Sequence, residues 1–85
     1  MGFDGPDDLR RFVAEVRAEL ERAGLDGAAG RLAAIQDSPF TTGAEWLGEL
    51  GLAVKEIRKE RALPAGLDAK LKRIQREVRR VWPAL

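Results

Sequence analysis

The residues best suited to chemistry are four glutamates that recur along the middle of the chain, Glu45, Glu49, Glu56 and Glu60. At 100° per residue these positions lie within about 60° of one another on a helix, so they form one acidic face. Carboxylate clusters in helical bundles can hold two metal ions, but the di-iron type also takes a His from each of two helices. The chain has no His. We therefore expect this face to be solvated or paired with basic side chains, without a metal.

Nucleophilic and acid–base catalysis also lack their usual residues. The chain has neither His nor Cys, which removes the commonest general base and the thiolate nucleophile. Its hydroxyl residues are Ser38, Thr41 and Thr42, and the Ser38-Pro39 pair does not fit a nucleophile elbow. We therefore expect a protein that is not an enzyme and that uses no cofactor.

A run of basic residues near the end of the chain is the second candidate site. We call it the basic face, and it consists of Lys72, Arg73, Arg76, Arg79 and Arg80. Like charges at four-residue steps mildly destabilise a helix, so an acidic group nearby would relieve their repulsion. That group belongs to this chain, to a partner protein or to nucleic acid; otherwise the face is simply solvated.

Nucleic acid is the less favoured of these partners. The sequence pI is about 8.2, below the value above 9 that is typical of nucleic-acid-binding domains. A helix-turn-helix would need a connection shorter than the roughly six residues predicted between the second and third helices. Glu45 and Glu49 would also face the DNA phosphates at the start of the recognition helix. The sequence therefore favours a protein partner.

The net charge of +1 hides an uneven distribution. Residues 1–50 carry ten acidic and five basic side chains, whereas residues 51–85 carry four acidic and ten basic ones, which gives −5 and +6. Such asymmetry indicates either a charged partner or attraction between the halves. We expect the helix with the basic face to lie beside the first or third helix, with Arg–carboxylate contacts between them.

Four amphipathic helices are predicted to position these groups, over residues of about 6–23, 27–36, 43–60 and 65–82. Apolar residues recur at three- and four-residue steps in each range, as they do on a helix with one buried face. The stripe of the fourth helix includes Val81 and Trp82, and Pro83 ends it. Thr42 and Glu45 form a capping box, and Gly24 is a natural stop for the first helix.

Short connections and the lack of a strand pattern then set the fold class. We predict an all-α, compact four-helix domain built from two antiparallel helical hairpins. It spans residues 1–85 as a single domain, with residues 1–5 as a mobile tail.

The third helix carries the features of an interaction surface. Gly48 and Gly51 lie inside it, and each costs about 1 kcal/mol relative to Ala, so close approach by another element is expected. Leu52 lies on the side opposite Trp46, which predicts protein contacts on two sides of the helix. Phe40 either packs on this helix or, if exposed beside Trp46, anchors an interface.

These features predict a small non-enzymatic protein–protein interaction module. A chain of 85 residues buries only a small apolar core, and domains of this size commonly gain stability by forming homodimers. The partner is therefore another protein or a second copy, with a neutralising partner of the immunity, antitoxin or inhibitor type as one version. The alternative is a nucleic-acid-associated protein that uses the basic face. The candidate partner-binding residues are the basic face together with Gly48, Leu52, Phe40 and Trp46.

The N-terminal residues and the composition predict the cellular location of the protein. The N-terminus is acidic and lacks a signal-peptide pattern, and no apolar run approaches the roughly 20 residues that span a bilayer. The chain has no Asn and many Ala, Gly and Arg residues, which is typical of a GC-rich, bacterial gene. We therefore expect a cytoplasmic, bacterial protein with no membrane contact.

Overall fold

The computed structural model describes residues 3, 5–37 and 42–85. Within these ranges the chain forms four α-helices: α1 Pro6–Arg22, α2 Asp26–Asp37, α3 Gly43–Ile57 and α4 Ala65–Val78. Each helix packs against two others, in the order α1–α2–α3–α4 and back to α1. The prediction of an all-α, compact four-helix fold is confirmed.

One apolar core joins the four helices. Its buried members are Leu9, Val13, Val16, Leu20, Ala29, Leu32, Trp46, Leu50, Val54, Ile57, Leu67, Leu71, Ile74 and Val78. These residues follow the three- and four-residue spacing of the predicted stripes, because only that spacing keeps apolar side chains on one side of a helix. The burial of this shared stripe holds together helices that would be marginal in isolation.

Three residues that the sequence predicts at helix boundaries lie at such boundaries in the structure. Gly24 has φ of +78° after the end of α1, a left-handed conformation that glycine adopts without steric cost. The side-chain oxygen of Thr42 accepts a hydrogen bond from the backbone N–H of Glu45 at 3.0 Å, which caps the start of α3. Pro64 has extended backbone and immediately precedes α4.

Two helices end earlier than predicted. The α3 helix ends at Ile57 instead of residue 60, and α4 ends at Val78 instead of residue 82. Tight turns follow both ends: the N–H of Lys59 bonds Glu56 O at 3.1 Å, and the N–H of Arg80 bonds Glu77 O at 3.2 Å. Periodicity alone could not detect the stop of α4, because the apolar spacing continues through residue 82, whereas the buried face of α3 has its last member at Ile57.

The N-terminal segment is only partly described. Met1, Gly2 and Asp4 lie outside the described residues, so the predicted mobile tail stays a prediction for them. Phe3 is described, and its ring centroid lies 5.2 Å from that of Phe12. This aromatic contact joins Phe3 to α1.

Candidate protein-interaction surface

Among the described residues, the large apolar side chains that remain exposed lie on α3 or line clefts that α3 borders. Leu52 is 50% exposed, Val81 is 48% exposed and Trp82 is 42% exposed. We call these three residues the Trp82 surface. A group of large apolar side chains exposed to this extent is typical of an interaction site, whereas single exposed ones are ordinary.

A hydrogen bond and a glycine hold Trp82 in place. Its indole Nε1 donates to the backbone oxygen of Ala44 at 2.7 Å. A Cβ atom built on Gly48 would lie 3.4 Å from the same nitrogen and 3.5 Å from the adjacent ring carbon. The indole therefore rests on the bare backbone of α3. The element that approaches Gly48 is thus the turn after α4.

Two clefts flank the segment that contains Val81 and Trp82. The first has a volume of about 510 Å³ and is lined by Gly48, Leu52 and Trp82, with Glu45 and Glu49 among its charged residues. We call it the acidic cleft. Both glutamates are exposed, so this side of the Trp82 surface carries negative charge.

The second cleft lies on the Val81 side. It has a volume of about 330 Å³, and its apolar lining includes Leu9, Trp46, Leu47 and Val81. The charged residues that line it are Arg10, Arg80 and Glu77, and we call it the basic cleft. The guanidinium of Arg10 lies 4.6 Å from the centroid of the Trp46 ring, a cation–π contact. Opposite charges therefore border the two sides of the Trp82 surface.

Arg73 differs from the other residues of the basic face because it is stacked on aromatic rings. Its guanidinium carbon lies 4.5 Å from the ring centroid of Phe3 and 4.8 Å from that of Phe12. Cation–π contacts of this kind are worth about 0.5–1 kcal/mol at exposed sites. Arg73 thus serves the packing of α4 against α1 and the N-terminal segment.

The rest of the basic face is exposed and is paired, at most, with carboxylates of its own helix segment. The pairs are Lys72–Asp68 at 3.8 Å and Arg80–Glu77 at 3.4 Å. Arg76 and Arg79 make no ion pair with any residue in 5–37 or 42–85. Exposed pairs of this kind contribute little to stability, so the face keeps most of its positive charge.

The expected electrostatic contact between the halves of the chain is met in part. The α4 helix lies beside both α1 and α3. Lys70 bonds Glu19 across the α1–α4 contact, which joins the acidic half to the basic half through a lysine. The Arg–carboxylate contact is Arg58–Asp68 at 2.9 Å, and both residues belong to the basic half.

A polar cluster that sequence reasoning missed lies beside the acidic cleft. Arg58 donates from Nε to Asp68 Oδ1 at 2.9 Å and from Nη1 to Gln75 Oε1 at 2.7 Å. Gln75, which is 4% exposed, donates in turn from Nε2 to the main-chain oxygen of Leu85 at 2.7 Å. These hydrogen bonds join the end of α3 to α4, and α4 to the segment that carries Trp82.

The cluster changes the acidity of one carboxyl group. The hydrogen bond from Arg58 lowers the pKa of Asp68, while partial burial opposes this effect and the charges of Arg58 and Lys72 add to it. A pKa that is lowered by folding means that ionised Asp68 stabilises the folded state. This contribution is fully present above the pKa of the unfolded chain and is lost as pH falls through the lowered pKa of the folded chain.

The remaining candidate residues lie in different places. Trp46 is 4% exposed and belongs to the core, and its indole N–H has no hydrogen-bond partner in the described part of the chain. Phe40 lies outside the described residues. The sequence predicts Val81 and Trp82 in the buried stripe of α4, and this prediction is wrong, because α4 ends at Val78 and both side chains are exposed. The indirect signal for Trp82 was Gly48, because a glycine inside a helix leaves room for the side chain of a neighbouring element.

Residues 3, 5–37 and 42–85 contain neither a metal-binding cluster nor a membrane-spanning helix. No group of three or more acidic side chains there is arranged to hold a metal ion. Glu56 of the acidic face instead pairs with Lys59 at 3.1 Å. Among the helices in the same ranges, none combines the length and apolar character that crossing a bilayer requires.

Comparison with known proteins adds no relative: no protein-family model, curated protein or solved structure matches this chain.

Proposed function

We propose that the protein is a small non-enzymatic interaction module that binds a protein through the Trp82 surface. The observation that carries this proposal is the 42–50% exposure of Leu52, Val81 and Trp82, since Leu52 and Trp82 line one cleft and Val81 lines the other. Trp is enriched among the residues that dominate interface energies. Because a hydrogen bond to Ala44 already holds the indole, little side-chain freedom is lost when a partner covers it.

The charges around this surface support a partner with charges of its own. Glu49 borders one cleft and Arg80 borders the other, and charged rims mainly set specificity and association rate. A neutralising partner of the immunity, antitoxin or inhibitor type is one form of the proposal, and a homodimer is another. We further propose a cytoplasmic location, with which the Cys-free composition is compatible.

Site-specific crosslinking tests the proposal. With p-benzoylphenylalanine in place of Leu52, photolysis in cells of the source organism should join this chain to a protein. The crosslinked mass should be reproducible and identified by mass spectrometry. Adding Trp82→Ser to the same chain should remove the crosslink, because the substitution deletes the largest side chain of the surface.

A matched position provides the control. Arg61 is exposed and lines neither cleft, so the same photoreactive residue there should give no comparable product. If the products at positions 52 and 61 are the same, or if no protein is joined at position 52, the proposed surface is refuted. A product of twice the chain mass would identify a second copy, and any other mass a different protein.

The second candidate function is nucleic-acid association through the basic face. The observation in its favour is that Arg76 and Arg79 are exposed and lack an ion pair within residues 5–37 and 42–85. The four residues of the basic face other than Arg73 remain available to bind phosphates. Lys and Arg contacts of this kind bind nucleic acid with strong dependence on salt, because each releases condensed counterions.

Fluorescence anisotropy with a labelled DNA duplex and a labelled single-stranded RNA, at low ionic strength, distinguishes this function from the first. If it holds, Arg76→Gln with Arg79→Gln should weaken binding and reduce the slope of log affinity against log salt by about two. The control is Arg22→Gln with Arg61→Gln, which removes equal charge elsewhere. An unchanged anisotropy at the lowest salt concentration would eliminate this candidate.

A further inference from the structure

The charges on the two sides of the Trp82 surface have opposite sign. Val81 lines the basic cleft with Arg10 and Arg80, and Trp82 lines the acidic cleft with Glu49. Within residues 5–37 and 42–85, Glu49 makes no ion pair, and Arg80 is paired only with Glu77 on the preceding turn, at 3.4 Å. The Trp82 surface is thus a strip that positive charge borders on one side and negative charge borders on the other.

Such a strip is complementary to itself. A twofold rotation about an axis through the Val81–Trp82 segment places the basic side of one copy against the acidic side of the other, and it does so twice. Closed twofold contacts are the commonest form of homo-oligomer because one patch serves both partners. We infer that the occupant of the Trp82 surface is a second copy of this chain, in a twofold dimer that pairs Arg80 of each copy with Glu49 of the other.

The size of the molecule is compatible with this contact. A standard interface buries about 800 Å² per partner, which is about 15% of the 5302 Å² that this chain exposes. The two clefts, with Val81 lining one and Leu52 and Trp82 lining the other, are the part of the surface that this contact would cover. The dimer rests on the proposed function, since it uses the same surface, and it adds the identity of the partner and the symmetry of the contact.

Charge-swap variants test both the dimer and its symmetry. Sedimentation equilibrium of the full chain should give a species of twice the 9.4 kDa chain mass. Arg80→Glu alone places two acidic groups at each of the two rim contacts, and Glu49→Arg alone places two basic groups there. We expect each variant to raise the dissociation constant of the dimer by roughly 10–100-fold. An equimolar mixture of the two should restore tight dimers, since both contacts of the mixed dimer pair opposite charges.

The control variants are Arg79→Glu and Glu60→Arg. They change charge by the same amounts at exposed positions that line neither cleft, and they should dimerise like the unmodified chain, singly and mixed. A far-ultraviolet circular dichroism spectrum confirms that every variant is helical.

Either of two results overturns the twofold dimer. The first is a monomer at the highest soluble concentration of the unmodified chain, and the second is a mixture that dimerises no more tightly than its separate components. Neither result refutes the proposed function, which fails only if crosslinking at position 52 joins no protein or gives the same products as the control position.

Discussion

Replacing Arg58 with Met is expected to destabilise the protein by about 1–3 kcal/mol, because it leaves the amide oxygen of Gln75 buried without a donor. Gln75 is 4% exposed, and its Oε1 accepts from Arg58 at 2.7 Å. Water cannot readily replace a donor at a side chain that is buried to this extent. For a domain of this size, the loss corresponds to a melting temperature lowered by roughly 5–20 °C. The measurement is thermal or urea unfolding at one fixed protein concentration.

The control for this variant is Arg61→Met. Arg61 is exposed and makes no ion pair within residues 5–37 and 42–85, so its replacement should leave the melting temperature almost unchanged. A loss as large as that of Arg58→Met would contradict the role of the buried amide. Gln75→Met in the Arg58→Met background should cost less than it does alone, since the first substitution has already removed the shared bond.

The pH dependence of the same variant separates the two bonds of Arg58. The hydrogen bond from Arg58 lowers the pKa of Asp68, so part of the stability of the unmodified chain is lost as pH falls through that lowered value. Arg58→Met removes the main cause of the lowered pKa. We therefore expect the difference in unfolding free energy between the two chains to shrink on acidification, while the part that comes from Gln75 persists. A difference that grows as pH falls would contradict this assignment.

The polar cluster separates the features of the fold that the sequence predicts from those that it does not. The apolar stripes predicted all four helices, because burial of one helix face imposes a spacing that can be read from residue types alone. Gln75 lies four residues after Leu71 and next to Ile74, both buried, so a polar residue inside an apolar stripe was a readable signal of a buried partner. Its partner Arg58 lies 17 residues away, and no local pattern specifies which side chain meets it.

The candidate surface was predicted less completely. The sequence named Gly48 and Leu52 on the outer side of α3, since their positions follow from helical geometry. It placed Trp82 in the core, because the apolar spacing of α4 continues through that position. The helix stops at Val78 instead, and a bond from the indole to Ala44 holds the ring on α3. This contact is tertiary, so only the folded chain reveals that the second tryptophan is exposed.

Gly48 and Gly51, which lie inside α3, are expected to respond to the same substitution with opposite sign. Gly51→Ala should destabilise the protein by about 1–3 kcal/mol through overpacking. A Cβ at this buried position would lie 2.7 Å from Val78 Cγ1 and 3.0 Å from Leu85 Cδ1. Val78 is fully buried and β-branched, so its rotamer cannot easily change to make room.

Gly48→Ala is the matched variant one turn earlier, and it should be neutral or stabilising by up to about 1 kcal/mol. A Cβ there meets the Trp82 ring at 3.4 Å, an ordinary contact distance, while Ala is favoured over Gly in a helix interior by about 1 kcal/mol. Urea unfolding of both variants at one concentration checks the pair. Equal effects of the same sign would mean that helix propensity alone determines the change in unfolding free energy. They would also mean that neither the turn after α4 nor Leu85 packs closely against α3. Opposite signs would show that the C-terminal segment packs on α3 as the polar cluster and the Trp82 hydrogen bond require.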